Sequence, residues 1–525
     1  MYIYIYIYKW MYIYIRVYPP SFSWFLLSFQ LVLIHTYFCL SCTTVGQDIH
    51  RHRHIHTVWN TRTKITMKLQ HAALMVAGAL ASSATAIEVE LGNEESVCNA
   101  ATDLVDGIMD YYLGTRYAGT VGMFQQPYYW WEAGLVFGGM IDTWKFCNND
   151  TYVGIIQEAI VHQKGPDNDF FNVENQTDVE ANDDQVFWGF TVMEAAERGF
   201  PMYSNDENDV NYAQLAMNVY NNMAPRWDDQ NCGGGLRWQI LDTMNGWDYK
   251  SMISTGGVFA LGARLARYTG DDSLKRSSKR ILQWMKQSKF VVQNEGNDFY
   301  NVNDGAEIVH GACPVVNGAL WSYNYALMLM GSAYLYNATG EQFWDNELGL
   351  FLGGLEHYMV NTTGGNTLYE YQCEKWQRCN NDQRAFRAVV ARTLGEIYQL
   401  APQYSERVLA LIDSSAAGAA ASCSGGSDGK TCGINWGING WDGLYGLGEQ
   451  ISALEIIQNS LIPQVPPPCE EDTCGEKLAS DVSIVVVPTP TIFRTFTTTN
   501  TVHKTATLIH SSVENVFYTG TTSSA

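Results

Sequence analysis

From Val97 to about Ser460 the chain repeats one pattern: apolar residues at helical spacing for several turns, then a connection rich in Gly, Asn and Asp. The helical segments fall near 97–117, 130–146, 151–163, 183–199, 208–224, 252–269, 272–289, 317–337, 341–358, 381–400, 404–413 and 442–460. Connections such as Cys232-Gly233-Gly234-Gly235 and Asn361-Thr362-Thr363-Gly364-Gly365 separate them. No alternation of apolar and polar residues runs long enough for a sheet-based core. About twelve successive helices joined by loops of uneven length predict an all-α fold, either a ring of helical hairpins or an irregular bundle. In a ring, the long loops at one end carry the chemistry.

The flanks read differently. Residues Tyr2 to Tyr8 and Tyr12 to Ile15 alternate Tyr and Ile, as a translated TA repeat would. The alternative is an aggregation-prone strand followed by an apolar stretch, Phe22 to Leu40, suited to a membrane. We expect 1–66 to be an extension foreign to the native protein, because a better start follows. Met67-Lys68, the apolar run Ala72 to Ala81 and Ala84-Thr85-Ala86 have the layout of a secretory signal, so 67–86 is expected to be removed. The folded domain is then 87–462. Pro463 and Pro466 to Pro468 break the helical pattern, and 463–525 reads as a flexible tail rich in Pro, Ser and Thr. Its end lacks the apolar run of a glycolipid-anchor signal. Of 12 cysteines, Cys39 and Cys42 precede Met67, leaving ten, an even number suited to disulfides in an oxidising compartment. Cys373 with Cys379, Cys423 with Cys432, and Cys469 with Cys474 are plausible local pairs, although spacing does not fix connectivity. Sequons at Asn149, Asn175, Asn337 and Asn361 suit the same route.

Lys+Arg 32 against Asp+Glu 54 gives a net charge of −22, which argues against nucleic acid as a partner. Aromatic residues make up 13%, and Trp and Tyr in such numbers serve either a large core or a surface that stacks on sugar rings. Against this background the stretch Asn182-Asp183-Asp184-Gln185-Val186-Phe187-Trp188-Gly189 stands out. Asn182 and Gln185 have the form of a capping box, and two adjacent carboxylates occupy the first turn. Asp183 and Asp184 either complement the helix dipole alone or work as an acid–base pair on a sugar. Trp130, Trp131 and Trp188 are candidates for stacking, with one of the two consecutive tryptophans expected in the core. Arg237 and Trp238 follow a glycine-rich turn that lets backbone approach a ligand, or merely caps the next element. Asp248 and Tyr249 sit in a polar loop suited to binding hydroxyls, and Asp382 repeats an Asn-Asp-Gln helix start for which capping is a sufficient explanation. Nothing has metal-ligand spacing, and no cofactor motif is present, so no metal and no cofactor are expected.

Several segments in order carry a family resemblance: YYWWEAG (Tyr128–Gly134), GPDNDF (Gly165–Phe170), NDDQVFWGF (Asn182–Phe190), CGGGLRWQI (Cys232–Ile240), ARLARYTG (Ala263–Gly270), NDQRAFRA (Asn381–Ala388), CSGGSDGKTCGINW and GLGEQISALE. Over roughly Val97 to Leu461 the chain resembles the fungal members of glycoside hydrolase family 76, the endo-1,6-α-mannanases and their glycolipid-anchored relatives in cell-wall assembly. The resemblance implies an (α/α)6 barrel and a retaining mechanism on α-1,6-linked mannose. Asp183 would be the nucleophile and Asp184 the general acid/base. Asn182 and the aromatic and polar candidates named above would bind substrate. The implied partner is mannan or the glycan of a GPI anchor, with β-glucan as an acceptor, at the cell wall or the outer face of the plasma membrane. Hydrolysis, transglycosylation that moves GPI-anchored mannoproteins onto wall glucan, and an inactive glycan-binding protein remain the competing functions. Both carboxylates are retained, which speaks against the last.

Overall fold

The structure is a computed structural model. It describes residues 87–488, apart from 175, 177–178, 205–208, 294–295, 297 and 480–481, together with the backbone of three strands beyond 491. The expectations for 1–66, for the leader Met67–Ala86 and for the sequon at Asn175 concern residues outside this range. Twelve main helices follow one another: α1 (Glu94–Met109), α2 (Trp130–Cys147), α3 (Val153–Gln163), α4 (Asn182–Arg198), α5 (Tyr212–Met223), α6 (Met252–Thr269), α7 (Asp272–Gln287), α8 (Ser322–Thr339), α9 (Gln342–Met359), α10 (Asn381–Leu400), α11 (Ser405–Ser422) and α12 (Leu447–Gln458).

The even-numbered helices form an inner ring. Each packs on the next, from α2 to α4, α6, α8, α10 and α12, and α12 returns to α2. The odd-numbered helices lie outside, α3 on α2, α5 on α4, α7 on α6, α9 on α8, α11 on α10 and α1 on α12. The result is the (α/α)6 barrel. Burial follows from sequence: α6, apolar or small almost throughout, is buried on nearly every side, whereas α7 buries only a stripe that includes Leu274, Ile281, Leu282 and Met285.

Helix existence agrees with the sequence pattern, and several ends do not. The first segment stops at Met109 instead of running to 117, and the segment read from 317 begins at Ser322. Helix α11 continues to Ser422, well past 413, through a run of Ala, Ser and Gly. That run hides its helicity because close approach demands small residues: a Cβ on Gly418 would lie 2.4 Å from the Trp436 carbonyl oxygen. The start of α4 is also built differently. Its cap is Ala181, whose N–H donates to Asp184 Oδ2 at 2.9 Å, so Asp184 rather than Gln185 reaches back to the cap.

Three short antiparallel strands, Tyr249–Ser251, Gly305–Glu307 and Val316–Asn317, stiffen the loops above the ring. The Cys232–Cys313 disulfide ties these loops together, and Cys98–Cys147 joins α1 to the end of α2. Cys373–Cys379, Cys423–Cys432 and Cys469–Cys474 pair as the spacing suggested. Past Ile462 the chain does not leave the barrel as a free tail. Cys469 N–H donates to the Glu197 carbonyl, Tyr268 and Asn211 donate to the carbonyls of Glu476 and Lys477, and Val485 and Val487 N–H donate to Asn221 and Ser277. This strap climbs α5 and reaches α7 because Asn side chains on α5 supply backbone partners that a Pro- and Val-rich segment cannot find within itself. Farther on, Ile492–Thr497, Thr505–His510 and Phe517–Thr519 pair as an antiparallel meander, as their β-branched and aromatic content favours.

At the C-terminal end of the inner ring lies a buried ionic cluster fed by all six helices. Arg264 (α6) donates to Glu194 at 2.7 Å and to Glu197 at 3.1 Å, both on α4, and approaches Glu396 (α10) at 3.4 Å. Arg198 bonds Asp142 (α2) at 2.9 Å and Glu194 at 2.8 Å. Arg392 (α10) bonds Glu455 (α12) at 3.1 Å, and Tyr334 (α8) donates to Glu197 at 2.9 Å. The arginines hold Glu194 below the usual carboxylate range, while burial raises Glu396 to about 7. Removing one partner from such a cluster strands the others without solvent. We expect Arg264→Met to cost about 3–5 kcal/mol, against less than about 1 kcal/mol for Arg407→Met, which breaks the more exposed pair with Glu356. Thermal unfolding of the two variants measures this, and equal losses would refute the special standing of the cluster.

Candidate active site

The N-termini of α2, α4 and α10 open into one cleft of about 850 Å³, within the range of ligand sites. Asp183 and Asp184 lie on its floor at the second and third positions of α4, half-buried with their carboxyls toward the cleft. Asp183 Oδ2 accepts from Trp238 Nε1 at 3.0 Å, and its Oδ1 has no hydrogen-bond partner. Asp184 Oδ2 accepts from Ala181 N–H, and the Trp131 backbone also donates to this carboxylate.

The parts around them explain how the chain achieves this. Asn182 is buried and does not line the cleft; its side chain donates to the carbonyls of Arg237 at 3.0 Å and Gln239 at 3.4 Å. Asn182 thus fastens the segment that carries Trp238 to the start of α4, and Trp238 in turn grips Asp183. Gly246 completes the arrangement, since its φ of +98° and a Cβ that would meet the Trp238 ring at 2.4 Å both require glycine there. From below, half-buried Arg226 donates to Asn182 at 2.9 Å and to Gln185 at 2.6 Å, which locks the helix start without a capping role for either side chain.

The other sequence candidates divide. Trp131, Trp238, Tyr249 and Asp382 line the cleft. Trp130 lines it only with a buried edge; its Nε1 donates to Gln163 at 3.0 Å. Trp188 is fully buried between Trp130, Phe137 and Phe170 and takes no part, because its position on α4 faces the interhelical core. Arg237 turns away from the cleft, paired with Asp228 and Asp248 at 3.1 Å each and stacked on Trp247. Asp248 is exposed beside it and lies outside the cleft. Sequence reading missed Asp304, Trp321, Tyr323, Asn380 and Phe386, which also line the site. Asp304 accepts from Tyr249 and from Asn317 at 3.1 Å, and Tyr323 stacks on Phe386 at 3.7 Å. Phe386 lies in the NDQRAFRA segment, where its likeness to Phe187 gave a signal; the other four belong to no such segment.

Asp183, Asp184, Asp304, Glu307 and Asp382 line the cleft, and among the described residues no Lys, Arg or His does. Burial first, and then the charge of Asp382, push Asp183 up to about 7 against the hydrogen bonds from Trp238 and the backbone. Asp184 is raised well above the usual carboxylate range by burial and next by the charge of Asp183. Asp183, steadied by the Trp238 and backbone donors, therefore ionises first, and its charge together with that of Asp382 keeps the proton on Asp184.

The family model for glycosyl hydrolase family 76 matches residues 96–472. The chain belongs to that family. It is a glycoside hydrolase. It is 44% identical over 393 residues to mannan endo-1,6-alpha-mannosidase DCW1 of Saccharomyces cerevisiae, an alignment that covers 75% of this chain and 85% of that one. Among solved structures it is similar to Dfg5 from Chaetomium thermophilum in complex with glucosamine, with a TM-score of 0.68 and 31% identity over 73% of this chain and 94% of the other. The alpha-1,6-mannanase GH76A of Salegentibacter sp. HEL1_6, in an inactive variant with two consecutive aspartates replaced by asparagine and bound to alpha-1,6-mannotriose, shares the fold at a TM-score of 0.55 and 17% identity, covering 70% and 99% of the two chains.

The raised Asp183 sets a stability expectation. An unfolded Asp releases its proton near 3.8, whereas the folded one holds it to about 7, so the folded state loses ground as pH rises through that window. Asp183→Asn should therefore be more stable than the native sequence at about pH 8, by about 1–2 kcal/mol once cleft water is allowed for, and the two should converge near pH 4. Melting temperatures across pH test this; a difference that does not change with pH would show that Asp183 is not strained by its site.

Proposed function

We propose that the protein is a retaining endo-1,6-α-mannosidase acting on α-1,6-mannosidic linkages, with Asp183 as nucleophile and Asp184 as general acid/base. The observation that carries this reading is the pair of consecutive carboxyls on the floor of a cleft that no Lys, Arg or His among the described residues lines. Such a lining repels phosphates and carboxylates and favours a neutral glycan and the positive charge that develops at its anomeric carbon. Asp184 gives its proton to the glycosidic oxygen as the bond from that oxygen to C1 breaks, and Asp183 forms the new bond to C1. Asp184 then takes a proton from the incoming hydroxyl, which displaces Asp183 and restores both carboxyls. Trp131 and Trp238 steady the two carboxylates, and Tyr249 and Asp382 face the sugar hydroxyls.

A second reading has the same intermediate and a different acceptor: a sugar hydroxyl of wall β-glucan instead of water. The aromatic wall of Trp321, Tyr323 and Phe386 beside the carboxylates favours it, because ring faces hold a second sugar and keep water out. The glucosamine bound to the Dfg5 relative suits a donor such as a GPI-anchor glycan, since an amino sugar carries the positive charge that this lining attracts. The cell wall or the outer face of the plasma membrane is the corresponding site of action, reached through the signal at 67–86. The buried Ile87, whose N–H donates to the Cys423 carbonyl at 3.1 Å, supports a folded domain that begins there.

A fluorinated mannoside that traps the covalent intermediate should label the peptide containing Asp183, read by mass spectrometry, and Asp183→Asn should not be labelled. Asp183→Asn and Asp184→Asn should each lower turnover of α-1,6-mannan by at least about 10³-fold with the fold intact. Full activity in either variant, or a label on another residue, would overturn the assignment. Product analysis with and without a glucan oligosaccharide separates hydrolysis from transfer.

A further inference from the structure

Helices α4 and α10 stand opposite each other in the ring, and their first turns match in register: Asn182, Asp183 and Phe187 correspond to Asn381, Asp382 and Phe386. The match extends to the contacts. Asp183 accepts from Trp238 Nε1, and Asp382 Oδ1 accepts from Trp131 Nε1 at 2.8 Å. The Trp131 ring packs on both phenylalanines, 4.7 Å from Phe187 and 6.1 Å from Phe386. Capping does not account for Asp382, because Asn380 and Gln383 form the capping box of α10 between themselves, at 2.9 and 3.1 Å. Its second oxygen has no protein hydrogen-bond partner among the described residues, and the residue lines the cleft.

Resting on the glycosidase reading, we propose that Asp382 is a positioning residue of the reaction centre: its carboxylate, fixed by Trp131 on the wall opposite Asp183, holds the proton on Asp184 until the leaving group takes it. The surroundings leave its charge uncompensated. Asp183, Asp304 and Tyr323 also line this space and Glu132 of α2 is buried near it, all acidic or neutral groups, and Arg384 is drawn away to Glu449 of α12 at 3.0 Å. The charge of Asp382 is felt at Asp183, Asp184, Glu132 and Tyr323, whereas its own carboxyl is raised only by burial and lowered by the Trp131 donor. A charge on Asp382 therefore makes a second and third negative charge costly nearby.

Asp382→Asn tests this cleanly, since the amide oxygen still accepts from Trp131 and only the charge is lost. The alkaline limb of kcat/KM should move down by about one pH unit, as expected for removing a charge several ångströms away. Trp131→Phe, which keeps the ring packing and the charge, should not lower that limb. Infrared titration of protonated carboxyls, with Asp184→Asn giving the assignment, should show the same downward shift without substrate. An unchanged titration in Asp382→Asn overturns the proposal, whatever its turnover. Absence of a trapped intermediate in the native enzyme would instead strike the glycosidase reading, and the infrared result would still stand.

Discussion

Six helices can enclose a common axis only if something fills the space where they converge, and here that filling is charged. Arg198, Arg264 and Arg392 sit among Asp142, Glu194, Glu197, Glu396 and Glu455, with Tyr334 completing the circuit. Hydrophobic residues would fill the volume equally well. Directional bonds do more, because Arg264 bonds α4 and α10, Arg392 bonds α12 and α2, and Arg198 bonds α2, which fixes the rotation of these helices as well as their distance. That rotation decides which residues of the opposite end look into the cleft.

The two ends of the ring are electrically complementary. Arginines and carboxylates pair where the inner helices finish, whereas carboxylates alone gather where α4 and α10 begin, at the pole of the helix dipole that favours them. At the open end this helps to offset the acidic lining, since among the described residues no Lys, Arg or His lines the cleft. Partial positive charge from helix starts is fixed in place and needs no rearrangement when a carboxyl of the first turn loses its proton.

Much of this was visible in the chain. Apolar spacing located all twelve helices, and α6 and α10 to the residue, because long amphipathic or wholly apolar runs leave little ambiguity. The Asp183-Asp184 pair was visible because both residues are adjacent in sequence. Tryptophans were not sortable: Trp131 and Trp188 have the same chemistry, and only the rotation of α2 and α4 sends one to the cleft and the other to the core. Arg226, Asp304 and Tyr323 left no trace because each acts through partners distant in sequence. Arg237 misled in the opposite sense, since a glycine-rich turn that braces a loop reads like one that approaches a ligand.

The strap that climbs α5 gives the molecule a mechanical polarity. A load applied beyond Val487 would first break the bond to Ser277, then those to Asn221, and only afterwards reach the Cys469–Cys474 loop against α4. Peeling would break these bonds one after another and would also draw Val487 out of the core in which it is buried. The strap thus stands between a pull on the C-terminal side and the ring of helices that shapes the floor of the cleft.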